Sequence, residues 1–283
     1  MAFVLENEYL KLECVEAGGE IQHLIDKEKN QEIMYQGDQG WSGKNPTLFP
    51  IVGNTWTKTY EIHGKTYAMK NHGLIRYATC KGVQNDNSLV FTYESNEETL
   101  KQYPFAFHYQ ITYTLEKKSV HIAYEILNQS EEDMPFTFGL HPAFKCPQKE
   151  GEKWEDYSIV FEKHEKAKQM IITEPTHTVD VEMDEWKLSR EDLKDKLTVI
   201  YRDFDSNYVT LSYKGEPRVK VSMEGFPYLA LWSIEKESDF ICIEPWYGHA
   251  DFEAGHDDFY TREGMMILKP EDTFRTGYTI EVL

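Results

Sequence analysis

The chain has 283 residues, with 30 Lys and Arg against 49 Asp and Glu and a formal net charge of −19. That acidic surplus speaks against a nucleic-acid partner, since binding a phosphate backbone depends on clustered Lys and Arg. No run reaches the ~18 apolar residues a membrane span requires, so no membrane association is expected. Hydrophobic residues make up 40% of the sequence, and 18 Tyr, 15 Phe and 6 Trp suffice for a large core or for the walls of a carbohydrate cleft. Cys14, Cys80, Cys146 and Cys242 lie far apart without C-x-x-C spacing. They suggest reduced thiols, and neither a zinc site nor a redox motif. The start, MAFVLENEYL, carries no basic segment ahead of an apolar run, so no secretory signal is expected and the cytoplasm is the expected compartment.

In chain order, Leu10, Leu12 and Cys14 alternate with polar neighbours, and Gly18-Gly19 turns the chain into a second strand around Ile21 and Leu24. PTLFPIVG at 46 to 53 is an apolar run with prolines on both sides of Leu48 and Phe49. It fits an edge strand or a buried loop entering a cleft. A hairpin is predicted at His63-Gly64-Lys65. Phe107, Tyr109, Ile111 and Tyr113 share one face of a strand that is followed by another over Val120 to Leu127. The charged stretch from Glu150 to Glu165 reads as a solvated face or an exposed hairpin. Ser189 to Leu197 reads as the single short helix, with Ser189 as its cap. Strands fill the remainder, and no repeat or linker divides the chain. The fold expected is all-β, one large antiparallel β-sandwich over 1–283.

Three ionisable residues stand at the ends of apolar runs: His72 in NHGLIR with Arg76 close by, His141 before Pro142, and Glu244 before Pro245. Pro245 cannot donate to a ladder, so the strand through Ile241 and Ile243 is expected to end at Glu244, at the mouth of a pocket. One carboxylate and two imidazoles suit paired acid and base catalysis. There is no G-x-S-x-G elbow, phosphate-cradling glycine loop or H-E-x-x-H, so acyl transfer, nucleotide chemistry and zinc proteolysis lack their signals. His249, Asp251, His256 and Asp257 could ligate a metal, but their acidic, glycine-bearing context reads better as a solvated turn, and no metal is assigned.

The segments YQGDQGW, PTLFPIVG, NHGLIR, YPFAFHYQITYTL, MPFTFGLHPAF, FPYLALWS and CIEPW, in that order, give the chain a resemblance to the aldose 1-epimerase (galactose mutarotase-like) family, and most closely to its LacX-type branch. The resemblance spans nearly the whole length and implies a β-supersandwich and cofactor-independent interconversion of the α and β anomers of a hexose. It also implies that Glu244 is the base at the C1 hydroxyl, that His141 protonates the ring oxygen, that His72 assists, and that Arg76 binds substrate. Trp246 or Trp41 is a candidate for stacking on a sugar face. The chain departs from galactose mutarotases at Gly53-Asn54-Thr55-Trp56, where a substrate-gripping arginine is missing and Asn54 is the candidate contact. Asp205, with Asp203 as its alternative, is the candidate for holding a sugar hydroxyl. The small-molecule partner is thus a sugar, and a homodimer is possible. Three other readings stay open: a hexose-6-phosphate 1-epimerase with Arg202 or Arg218 converging on Arg76, a sugar-binding protein without turnover, and a metal-dependent enzyme built on His249 and His256.

Overall fold

The period-two alternation of Phe107–Glu116 becomes a strand whose Phe107, Tyr109, Ile111 and Tyr113 are all buried. It pairs in register with Ser119–Asn128, from Phe107↔Asn128 to Glu116↔Ser119. Two tyrosine hydroxyls tie this hairpin to distant segments: Tyr113 donates to Gly19 O at 2.7 Å and Tyr109 to Thr47 Oγ1 at 3.1 Å. The first bond anchors a four-stranded N-terminal sheet, Ala2–Glu6, Leu10–Val15, Ile21–Asp26 and Gln31–Glu32 in that order. Its central turn needs Gly18 and Gly19, whose φ of +64° and +66° is strained for residues with a side chain.

The computed structural model describes residues 2–37, 40–173, 175–194, 198–234, 238–255 and 257–283. A fifteen-stranded antiparallel sheet forms the body of the β-sandwich. Its order begins at Thr47–Leu48, so of the two readings of PTLFPIVG, edge strand or buried loop, these two residues take the first. The order then passes through Phe138–Leu140, Phe240–Tyr247, Tyr228–Trp232 and Val199–Arg202 to the hairpins beyond. The predicted turn at His63-Gly64 joins Tyr60–Ile62 to Lys65–Tyr67. All four cysteines are buried and free. Among the described residues no helix is long and apolar enough to cross a membrane.

Two expectations are corrected. The helix is Arg190–Lys194, with Ser189 Oγ accepting from Asp192 N as foreseen; Leu197 lies outside the described residues. A second helix, Glu97–Gln102, was not foreseen. Asn96 and Thr99 close its N-terminus with a reciprocal capping box, and Glu97 and Glu98 lie in its first turn. The strand that was to end at Glu244 instead runs Phe240–Tyr247, straight through Pro245. N–H groups along an antiparallel strand alternate sides. Ile243 N donates to Pro142 O, so an N–H at position 245 would face the same neighbour, where Phe138–Leu140 gives way to Ala143–Lys145. In that register the proline lies opposite Leu140, the last residue before the partner strand breaks, so a missing N–H is tolerated at the end of that ladder.

The acidic stretch around Glu150 to Glu165 becomes part of a long hairpin, Tyr157–Ile171 with His177–Lys187, whose second strand is largely exposed. Glu165 is the exception. It is fully buried and accepts from Asp205 N, Ser206 N and the Ser206 hydroxyl.

Candidate active site

The break between Phe138–Leu140 and Ala143–Lys145 builds the site. On either side of it the partners are Gly139↔Trp246 and Ala143↔Cys242, which belong to one continuous register. Carried through the break, that register sets His141 opposite Glu244 as cross-strand neighbours. On the other flank Ala230 pairs with Glu244. Small residues, Gly139, Ala143 and Ala230, thus neighbour a glutamate that is 1% exposed and that faces open space. That space is a cavity of about 440 Å³ whose lining includes Glu244, His141, His72, Arg76, Trp246, Trp41 and Asn54. These residues, all singled out from sequence, therefore share one wall system.

His141 is held as tightly as Glu244. Trp41 stacks on its ring with centroids 4.7 Å apart, and Trp232 meets it edge-on at 5.4 Å. His141 Nδ1 lies 3.4 Å from Glu244 Oε1, too far for a good hydrogen bond. Neither His141 Nδ1 nor Glu244 Oε2 has a hydrogen-bond partner, and Trp246 Nε1 is likewise buried and unpaired. The Trp246 indole still draws the Glu244 carboxyl downward, which fits close approach without proper hydrogen-bond geometry. Burial dominates, however, and raises Glu244 well above the usual carboxylate range, with Arg76 opposing it. Burial, then His72 and Arg76, push His141 below the ordinary histidine value.

His72 sits in a turn at φ +67°, and two backbone contacts with Gly53 clamp it. His72 N donates to Gly53 O at 2.8 Å, and Gly53 N donates to His72 Nδ1 at 3.0 Å. A ring nitrogen that accepts carries no proton, so the hydrogen of the neutral ring is on Nε2. Burial, reinforced by Arg76, lowers the pKa to about 3. His72 is therefore a fixed neutral donor. We expect nitrogen-15 NMR to show an Nε2–H tautomer for His72 that persists from pH 8 to about pH 4.5; protonation near the ordinary value of about 6.5 would refute it. The same depressed pKa makes the native state bind fewer protons than the unfolded chain between about 3 and about 6.5. Its contribution to stability is thus complete above that window and declines as pH falls through it. Gly53 cannot carry a side chain here: at φ +68°, an added Cβ would lie 2.4 Å from Ala250 Cβ.

Arg76 rises from a short 3₁₀ turn, Ile75–Tyr77, with its guanidinium 5.9 Å from the centre of Trp41. It is half-buried, and its charge acts on the carboxyls of Glu20 and Glu244 without a close ion pair among the described residues. The other arginines weighed from sequence are committed elsewhere. Arg202 pairs with Glu263 at 3.0 Å, and Arg218 with Glu152 at 2.9 Å and Glu216 at 3.1 Å. Neither lines the cavity.

Asp205 is placed outside the site, because its backbone N–H is held by buried Glu165 and its side chain is exposed. Asp203 is also exposed and lies near Lys168 and Arg202. The acidic wall residue is instead Asp251, which sequence reasoning had put in a possible metal cluster. Arg262 Nε bonds Asp251 Oδ1 at 2.8 Å, and Trp56 N donates to Oδ2 at 3.1 Å, so both oxygens are taken. His249 Nδ1 lies 2.7 Å from Ala250 O and His256 falls outside the described residues, so this group does not assemble as a metal centre among them. Asn71, Trp232 and Phe252 also line the cavity and were not singled out. Asn71 adjoins His72. Trp232 shares a face with Ala230 in Tyr228–Trp232, but that strand is a continuous apolar run, so its pattern did not mark which face meets the cavity.

The family described as Aldose 1-epimerase matches residues 1–257. The chain belongs to this family. Similar proteins include the plasmid and chromosomal LacX proteins of Lactococcus lactis subsp. lactis, each 31% identical over 100% of both chains. Among solved structures, a galactose mutarotase related enzyme from Lactobacillus acidophilus is 30% identical with a TM-score of 0.93, covering 100% of this chain and 97% of that one. A galactose mutarotase-like protein from Lactobacillus casei is 29% identical with a TM-score of 0.92 and full coverage of both chains. Membership in the aldose 1-epimerases carries isomerase activity on a hexose as the family-level function.

Proposed function

We propose that the protein interconverts the α and β anomers of an aldohexose, using Glu244 and His141 as a coupled base and acid. The observation that carries this reading is the facing pair itself: a carboxylate and an imidazole 3.4 Å apart and buried on a cavity wall, with Glu244 Oε2 and His141 Nδ1 lacking hydrogen-bond partners. A sugar hydroxyl and ring oxygen supply the missing partners. Glu244 takes the proton of the C1 hydroxyl while His141 delivers one to the ring oxygen, and the C1–O5 bond breaks to leave the open aldehyde. Rotation about C1–C2 and the reverse transfers close the ring on its other face. The pair holds one proton throughout, first on imidazole beside a carboxylate, then on the carboxyl beside neutral imidazole. Burial raises Glu244 and lowers His141, which shifts the balance from the ion pair toward the neutral arrangement, so that the carboxylate is a stronger base and the imidazolium a stronger acid than in water. His72 contributes a neutral Nε2–H donor, and Trp41 or Trp246 an apolar wall. Only proton transfers are needed, so the reaction as written uses no cofactor.

The arginine placement argues against a phosphosugar, since Arg76 is the one guanidinium lining the cavity among the described residues, and phosphate recognition favours converging or bidentate arginines. The full-length similarity to LacX proteins supports a place in that branch. Polarimetry of freshly dissolved α-galactose and α-glucose tests the reading. Mutarotation is expected to accelerate in proportion to protein concentration with at least one of them. Sugar binding without acceleration of any aldose would instead indicate a binding protein.

A further inference from the structure

Directly beneath the cavity the sheet brings a third donor to the acid–base pair. Cys242 and Glu244 are two residues apart on one strand and so project from the same face. Ligating atoms of His141, Cys242 and Glu244 all lie within 4.8 Å of one another. The three residues are 6%, 0% and 1% exposed. His141 Nδ1 and Glu244 Oε2 have no hydrogen-bond partner.

We propose that His141, Cys242 and Glu244 form an inhibitory site for one Zn²⁺ ion or a comparable soft divalent cation. Imidazole nitrogen, thiolate sulfur and carboxylate oxygen are the donors zinc takes, at about 2.0 to 2.3 Å, and three such ligands leave a fourth position open toward the cavity. Hard cations such as Mg²⁺ prefer an all-oxygen shell, which this set does not provide. Charge fits as well. One thiolate and one carboxylate balance the dication, so the filled buried site is neutral. Binding is balanced by release of two protons, one from the Cys242 thiol and one from the His141–Glu244 pair. The rings of Trp41 and Trp232 hold the imidazole in place for the ion. Cys242 does not line the cavity and takes no part in the proposed acid–base chemistry, whereas the other two ligands are the acid and the base. The cation therefore silences the site by occupying both. Inhibition rests on the functional reading above, but binding does not.

The test is titration of metal-free protein with Co²⁺, read as the thiolate-to-cobalt charge-transfer band, and with Zn²⁺ by calorimetry. One ion per chain and a cobalt–thiolate band are expected. Cys242→Ser should abolish the band and weaken Zn²⁺ at least about tenfold, while changing metal-free mutarotation less than about twofold. Cys242→Ala repeats the test should serine disturb the core, and His141→Asn should weaken binding from the opposite strand. Zn²⁺ should arrest wild-type mutarotation, and EDTA should restore it. No band with excess Co²⁺, or one that survives in both Cys242 variants, overturns the site. Binding through Cys242 in a protein that turns over no aldose upholds the site and refutes the functional reading instead.

Discussion

Replacing Glu244 by Gln is expected to slow catalysed mutarotation by about 10²- to 10⁴-fold, the range for removing a positioned general base. The amide keeps the shape and can still bond a sugar hydroxyl, so weak sugar binding should persist while turnover collapses. Stability should move the other way. Glu244 is almost wholly buried, and burial disfavours its charged form, so the neutral amide removes an unfavourable term from the native state. A melting temperature equal to or above that of the wild type, with activity lost, is the signature of a group kept for chemistry. A variant that melts well below the wild type would show instead that the carboxylate holds the sheet together.

The largest loss of stability is expected on the opposite wall, from Arg262→Met. The Arg262 side chain is fully buried, that of Asp251 nearly so, and they meet at 2.8 Å. Methionine fills similar volume but strands the Asp251 carboxylate, and breaking a buried pair from one side costs about 3–5 kcal/mol. The damage should reach the site, because Asp251 N donates to Asn54 O and Asp251 also receives Trp56 N, next to the Gly53 that clamps His72. Adding Asp251→Asn should recover much of the loss, because it removes the stranded charge; chemical denaturation of both variants measures the coupling. A single variant within about 1 kcal/mol of the wild type would show that the pair contributes little.

Alternation, turn residues and proline placement made the β-sandwich legible, because each is a local property of the chain. The edge strand at Thr47–Leu48 and the hairpin at His63-Gly64 are examples. The second helix escaped notice because its cap is Asn96 with Thr99, and six residues show little apolar periodicity. Pro245 misled for a related reason. Whether a proline ends a strand depends on whether the neighbour on its N–H side is intact, and that neighbour lies about a hundred residues away in sequence. At the cavity, residues beside a proline or in a distinctive segment come together: Glu244, His141, His72 and Arg76. Asp251 was read as part of a solvated turn, since nothing local announces that Arg262 will pair with it in the interior. Asp205 was misplaced because Glu165, forty residues earlier, pins its backbone away from the cavity.

The most direct test of the central claim is magnetisation transfer between the anomeric protons of galactose and of glucose at equilibrium. It would be recorded with wild-type protein, Glu244→Gln and His141→Asn, because at equilibrium it reports only the rate of ring opening and closure. The account predicts exchange that scales with wild-type concentration for at least one sugar and falls to the spontaneous rate in both variants. Exchange undiminished in Glu244→Gln would contradict the assignment of the base.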